Sequence, residues 1–362
     1  MDKQQKISHL QIGVLFFVFM TGSSIINIPG PLIARASNGA WLSLLISGGL
    51  GMFLLACILF LQRRYPGLTF VEYSRKLIGP WLTAALSIVT LSFLVQMESA
   101  IVVDVSLFMI TSMLRETPMY AFTSLIFMVS ALTVRAGIEV MARMFTLIML
   151  VAAVLIAMVL LFALPEYEPA FLLPVMPDGI KPVLHGAYFT FGFPYAEVFL
   201  FSMLFPFAAQ SSSGQLSRTM VYTLMLNIFT LSVASLAAIM VFGPYAGERP
   251  YALFALARIV EFEEVIQRVE SITGMALIVG SYMKTSITLY VLSLYLTQLF
   301  RFKDYRTFVM PLALIGFLLT LVGFDSATEW AEIVTVIHPV WASAAFVVPL
   351  LLVTAAALFK RE

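Results

Sequence analysis

The sequence predicts an all-α polytopic membrane protein of ten spanning helices, the first and the sixth broken at mid-membrane. Three observations carry that prediction. Hydrophobic residues are 61% of the 362 and charged ones 11%, against roughly 45–50% and about 25% in soluble domains, and mean hydropathy is +0.98. Ten apolar runs come near or exceed the roughly 20 residues a bilayer requires. Two of them carry glycine, proline and polar groups where simple spans carry leucine and valine.

The runs are 10–34, 40–62, 81–112, 118–134, 140–164, 186–209, 219–243, 269–300, 307–323 and 333–359. The fourth and ninth are the shortest. Met1 to His9 is short and polar, and the run after it shows no small-residue cleavage site, so the first run reads as a retained span rather than a signal peptide. Within it, Thr21-Gly22-Ser23-Ser24-Ile25-Ile26-Asn27-Ile28-Pro29-Gly30-Pro31 interrupts the helix. The sixth run is interrupted by Phe191-Gly192-Phe193-Pro194-Tyr195-Ala196-Glu197. Proline removes a backbone donor and clashes with the preceding turn. A carboxylate at that depth costs about 2.5–3.5 kcal/mol on insertion scales. Such breaks are tolerated where the opened backbone faces protein or a watery cavity.

Orientation follows from the basic residues of the loops. With the N-terminus inside, fourteen lie on the cytoplasmic side: Lys3, Lys6, Arg63, Arg64, Arg75, Lys76, Arg135, Arg143, Arg218, Arg301, Lys303, Arg306, Lys360 and Arg361. Six lie outside: Arg35, Arg115, Lys181, Arg249, Arg258 and Arg268. Both termini are therefore expected in the cytoplasm and the number of spans even. Lys284, near the middle of the eighth run, belongs to neither side.

Ten spans divide as five plus five, and an odd number in each half turns the second upside down relative to the first. The halves correspond in order. Spans one and six are broken, and spans three and eight are long and carry ionisable groups at depth. An amphipathic segment, Phe70 to Ile78, lies inside before span three, and its counterpart, Leu253 to Val265, lies outside before span eight. The layout is that of the inverted repeat of LeuT-like carriers. The units are residues 1–164, a proline-rich extracytoplasmic connector 165–185 and residues 186–362, with five prolines between Pro165 and Pro182.

Paired breaks at corresponding places point to a central binding site. Candidate ligand-binding residues are Thr21, Gly22, Ser23, Ser24 and Ile25 in span one, Glu98 and Ile101 in span three, Phe191, Gly192, Phe193, Tyr195 and Glu197 in span six, and Ser281 and Thr285 in span eight. N–H groups opened at Ser24 to Ile26 favour an anion such as an amino-acid carboxylate, and carbonyls freed around Phe191 to Phe193 suit an ammonium. Glu197 is expected to accept N–H groups left open at the hinge of span six. Lys284 stands roughly 21 Å from Glu270 by helical rise, too deep to snorkel. Its ammonium either occupies the place of a coupling cation or contacts carbonyls of broken span one. Glu98 is also deep, whereas Asp104 falls near the outer vestibule, and a structural role suits both.

Other chemistries find little support. The net charge is +1, which gives no reason to expect nucleic acid. Cys57 has no second cysteine to pair with, and His9, His185 and His338 fall in separate segments, so neither a disulfide nor a metal site is indicated. No nucleophile with its base and oxyanion donors presents itself, so an enzyme is not expected, and no cofactor is called for.

Several motifs then combine. They are Lys6-Ile7-Ser8 with Gln11; Gly22-Ser23-Ser24 and Pro29; Gly137-Ile138-Glu139-Val140 with Arg143; Leu173-Pro174-Val175 with Gly179-Ile180-Lys181-Pro182; Phe193-Pro194 with Glu197 and Phe205-Pro206; and Arg268-Val269-Glu270 followed by Lys284. In this order and spacing they resemble the B subunits of nutrient germinant receptors of spore-forming bacteria, within the amino acid, polyamine and organocation transporter group. The resemblance covers nearly the whole chain. It implies a sensor of a small nutrient, most of all an amino acid, in the spore inner membrane beside an A subunit and a lipoprotein C subunit. A proton-coupled amino-acid carrier working alone uses the same residues and stands as the alternative.

Overall fold

The computed structural model describes residues 5–209, 213–259, 269–323 and 327–360. Span one is His9–Thr21, continued by Ser24–Asn27 and Pro29–Ala36; span two is Ala40–Arg64; span three is Pro80–Phe108 with a π-helical turn over Met109–Met113. Spans four and five are Met119–Ala136 and Ile138–Phe162. Span six is Ile180–Gly192 followed by a 3-10 stretch over Tyr195–Met203, and span seven is Ser213–Phe242. Spans eight, nine and ten are Glu270–Leu299, Arg306–Val322 and Glu329–Phe359. Among the described residues, eight helices are long and apolar enough to cross a membrane. The ninth span has 17 residues, and the sixth is cut in two at Phe193-Pro194, so neither meets that length as a single helix.

Burial ranks the spans. In span eight 78% of the most apolar stretch is buried, in span five 17%. Span eight is therefore central, packed against spans one, three, four, five, six and nine, while span five turns most of its Leu, Val and Met outward. The long span six is held to span two by polar contacts that cross between helices. Ser43 Oγ donates to the carbonyl of Val183 at 2.8 Å, and the hydroxyls of Ser47 and Thr190 meet at 2.7 Å.

The amphipathic segment before span three forms a helix over Phe70–Ile78, as its pattern predicts. Thr69 and Glu72 make a capping box at its start, the Glu72 carboxylate accepting from the Thr69 N–H at 2.9 Å, and Gly79 ends it at φ 83°. Phe70, Val71 and Tyr73 face the core. Arg75 turns to the C-terminus of span eight, donating to the carbonyl of Gln298 at 2.9 Å and also to that of Leu299, where a cation suits the helix dipole. Arg75→Ala is expected to lower stability by about 2 kcal/mol, read as a fall in thermal midpoint that the exposed Lys76→Ala does not share. The counterpart before span eight is a helix over Ala252–Ile259; the part of that segment expected beyond Ile259, to Val265, lies outside the described residues, as does Arg268.

The chain is fastened at both ends of the broken helices. At one end Ile7 lies beside Phe207 to Ala209, its N–H donating to the Phe207 carbonyl at 3.0 Å and its carbonyl accepting from Ala209 at 2.8 Å. At the other end, a Cβ at Gly30 would stand 2.1 Å from the carbonyl oxygen of Arg249, and one at Gly247 would stand 2.8 Å from Cα of Ala34. The second half of span one thus packs backbone to backbone against the loop after span seven.

Candidate ligand site at the paired helix breaks

Span one unwinds at Gly22 and Ser23 because there it meets span eight too closely for side chains. A Cβ at Gly22 would lie 2.8 Å from the Gly280 oxygen, and one at Gly280 would lie 2.4 Å from the Gly22 oxygen. The helix resumes at Ser24, where Asn27 N–H and Ile28 N–H donate to the carbonyls of Ser23 and Ser24 at 3.2 and 2.9 Å. Gly22 and Ser23 belong to neither helical piece, so the hydrogen-bond ladder of span one is interrupted there. Among the described residues the buried hydroxyls of Ser23 and Ser24 have no hydrogen-bond partner, nor have those of Ser281 and Thr285 on span eight.

Span six opens at Phe193, which is extended (φ −140°, ψ 108°), and Pro194 has no N–H to give to the turn before it. Phe193 lies between the two helical pieces, and no backbone N–H among the described residues donates to its carbonyl. Glu197 sits one turn beyond. Its carboxylate does not cap the hinge, contrary to the sequence expectation. Oε2 instead accepts from Lys284 Nζ at 2.6 Å, with the two side chains 1% and 0% exposed. A full charge at this depth is far more favourable when paired, and among the described residues the ammonium donates to no other acceptor. The Lys284 ammonium also lies 4.3 Å from the ring centre of Phe193 and 5.0 Å from that of Phe19, positions that favour a desolvated cation. Of the two readings of Lys284, the contact with carbonyls of span one is therefore replaced by a carboxylate partner from span six.

The sequence analysis left out a third member of this cluster. His338, in span ten, places Nε2 3.7 Å from Glu197 Oε1. Its ring packs on Phe93 of span three at 4.9 Å between centres. An ion pair between residues 197 and 284 and a histidine at 338 share no local spacing, so only the tertiary fold brings them together. The one available signal was Lys284 itself, which required a partner from another span.

Several other candidates point elsewhere. Thr21 turns to span seven, its hydroxyl accepting from Asn227 Nδ2 at 2.8 Å. Glu98 lies against spans four and nine, where a Cβ at Gly316 would stand 3.5 Å from its carboxyl carbon and 2.6 Å from the Phe127 ring. Both its oxygens lack a partner. Tyr195 faces span two, its Cβ 3.0 Å from where a Cβ of Gly51 would be. Gly192 packs on span ten, against Pro339. Ile25 borders an apolar groove of about 560 Å³ between spans one, five, seven and eight. Ile101 is buried on span three, and Phe191 is half-buried. Asp104 accepts from Trp330 Nε1 at 2.5 Å and from Asn27 Nδ2 at 3.3 Å, joining spans three, ten and one.

Comparison with known proteins bears on the family and the fold. A profile of the family described as Spore germination protein matches residues 6–328. The chain belongs to that family. It is similar to Spore germination protein KB of Bacillus subtilis (strain 168), 27% identical over 347 residues, covering 91% of this chain and 87% of that protein. Among solved structures it resembles the substrate-bound, outward-open state of a sodium-coupled sialic acid symporter, with TM-score 0.70 and 11% identity over 94% of this chain and 78% of the other. It also resembles MhsT in complex with L-phenylalanine, again with TM-score 0.70, at 14% identity over 98% of this chain and all (100%) of the other. At such identities these structures speak to the fold alone. The chain is an integral membrane protein with a LeuT-like fold, and its family and fold point to a membrane receptor or transporter.

Proposed function

We propose that the chain is the membrane subunit of a spore germinant receptor that binds a small nutrient, an amino acid by preference, between broken spans one and six with spans three and eight. The carrying observation is that the two breaks stand around one span: Gly22 touches Gly280, and Glu197 after the second break holds Lys284 one turn further along. Next to this junction lie four buried hydroxyls without partners, those of Ser23, Ser24, Ser281 and Thr285, and unmet buried polar groups favour a polar ligand that meets them. An amino-acid carboxylate suits the N–H groups of Ser24 to Ile26, and its ammonium suits the carbonyls of Phe191 to Phe193. In this reading residues 1–164 and 186–362 are the two inverted repeats, joined outside by 165–185, with both termini in the cytoplasm. Its setting is the spore inner membrane, and its partners are an A subunit that passes the signal on and a lipoprotein C subunit.

Binding of a panel of amino acids, sugars and nucleosides to the purified chain tests the reading directly. At least one amino acid is expected to bind, and Ser24→Val is expected to weaken it about tenfold. Binding by sugars alone would displace the amino-acid assignment. The Lys284 ammonium fills the role of a coupling cation in this reading, so replacing sodium with choline at constant ionic strength is expected to leave binding unchanged. A carrier working alone is the second reading, because one of the similar structures is by its title a sodium-coupled symporter. Ligand-driven uptake into liposomes holding this chain by itself favours that carrier; its absence alongside binding favours the receptor.

A further inference from the structure

We infer that Arg64, Lys76 and Lys360 form a binding site for the headgroup of an anionic phospholipid, at the end of the bundle where spans two and ten stop and span three starts. Arg64 is the last residue of span two, Lys76 lies in the last turn of the helix Phe70–Ile78, and Lys360 caps the C-terminus of span ten. Two hydrogen bonds draw the three together. Arg64 Nη2 donates to the Lys360 carbonyl at 2.6 Å, and Lys360 Nζ donates to the Lys76 carbonyl at 3.0 Å. Arg63 and Arg75, on the same elements, turn away: Arg63 donates to the Ser217 hydroxyl on span seven at 2.9 Å, and Arg75 reaches the end of span eight. Among the described residues no acid pairs with any of the three. Glu72, the acid of the same amphipathic helix, is occupied at its other end by Thr69.

A guanidinium has five N–H donors and an ammonium three, so most donors of the cluster are open. Among the described residues the Arg64 and Lys360 side chains each meet one carbonyl, and the Lys76 ammonium meets none. Three cations at close quarters repel one another, and the helix C-termini at Lys76 and Lys360 offset only part of that repulsion. A phosphodiester neutralises more of it and accepts several N–H groups at once. What borders the cluster assigns that phosphodiester to a lipid. Trp81, in the first turn of span three, and Phe359, the residue before Lys360, are each 88% exposed. Aromatic side chains at the ends of spans sit at the level of the headgroups, and basic clusters beside span ends attract anionic lipid. A lipid meets both features, its phosphate on the cations and its glycerol and upper chains on the two rings. An acidic protein segment meets the charges and leaves the rings uncovered.

The inference stands apart from the nutrient site and is tested without a nutrient. Native mass spectrometry of the purified full chain reads the binding of phosphatidylglycerol, phosphatidylcholine and glycerol 3-phosphate, each added in turn. Phosphatidylglycerol is expected to bind about tenfold more tightly than either of the others. Lys76→Gln is the cleanest variant, because its ammonium bonds nothing else among the described residues: it should weaken phosphatidylglycerol about fivefold at unchanged thermal midpoint, and Lys76→Arg should restore it. Arg64→Gln, Lys76→Gln and Lys360→Gln together should abolish the preference for phosphatidylglycerol over phosphatidylcholine. Arg135→Gln, an exposed cation at the end of span four, controls for general attraction and should change binding by less than about twofold. Equal binding of the two lipids to the unaltered chain overturns the inference and leaves the cluster as a surface for an acidic protein segment. Glycerol 3-phosphate binding as tightly as phosphatidylglycerol overturns it in favour of a soluble phosphate, and a triple variant that keeps the preference shows that the lipid sits elsewhere.

Discussion

Glu197→Ala is expected to lower stability by about 3–5 kcal/mol, because it leaves Lys284 charged and without a partner at the centre of the protein. Lys284→Met should do less harm, since Glu197 retains His338 at 3.7 Å and methionine fills nearly the same length as lysine. The double variant Glu197→Leu with Lys284→Met should recover most of the loss, as buried pairs replaced by apolar residues of similar volume often do. Thermal unfolding of the four proteins in one detergent forms a double-mutant cycle. A coupling near zero would show that the two charges do not depend on one another. Glu197→Gln, which a hinge-capping role would render mild, is now expected close to Glu197→Ala: the amide can still accept a hydrogen bond but brings no charge to the ammonium.

Gly22→Leu is the second large effect, and its cause differs from that of a ligand clash. The Cβ would enter the space of the Gly280 oxygen at 2.8 Å, and both sides of this contact are backbone, which cannot rotate away as a side chain does. Overpacking of this kind costs about 1–3 kcal/mol and often more. The spans should move apart, and nutrient binding should fall together with thermal stability. Gly280→Leu should reproduce both losses although it lies on another span. If Gly22→Leu abolishes binding at unchanged stability while Gly280→Leu leaves binding intact, the glycine meets the ligand and not the helix.

Composition and punctuation made much of the architecture legible. Gly22 and Pro194 break their helices where a reading of residue types places the breaks, and the helix Phe70–Ile78 begins and ends on its predicted residues. These are local effects: proline lacks a donor, and Thr69 and Glu72 cap each other across a single turn. What the sequence hid was the phase of each span. Glu98 and Ile101 are three residues apart on one helix, yet a few tens of degrees of rotation decide whether Glu98 meets the ligand or Gly316 of span nine. Thr21 beside Gly22 is likewise turned to Asn227. In a membrane, apolar residues surround a helix on the lipid side as well as the core side, so hydrophobicity does not mark the inward face. The partner of Lys284 was hidden for a related reason: nothing in a sequence records that residues 197, 284 and 338 converge.

The pairing of Ile7 with the strand-like stretch at 207–209 gives the amino terminus a mechanical part. It stitches the start of one broken helix to the end of the other with two backbone hydrogen bonds, each worth about 1 kcal/mol net. Together they amount to about 2 kcal/mol. Because the pairing is made of main-chain atoms, side-chain variation at these positions leaves it in place. The residues before the first span thereby tie the start of one broken helix and the end of the other into a single mechanical unit.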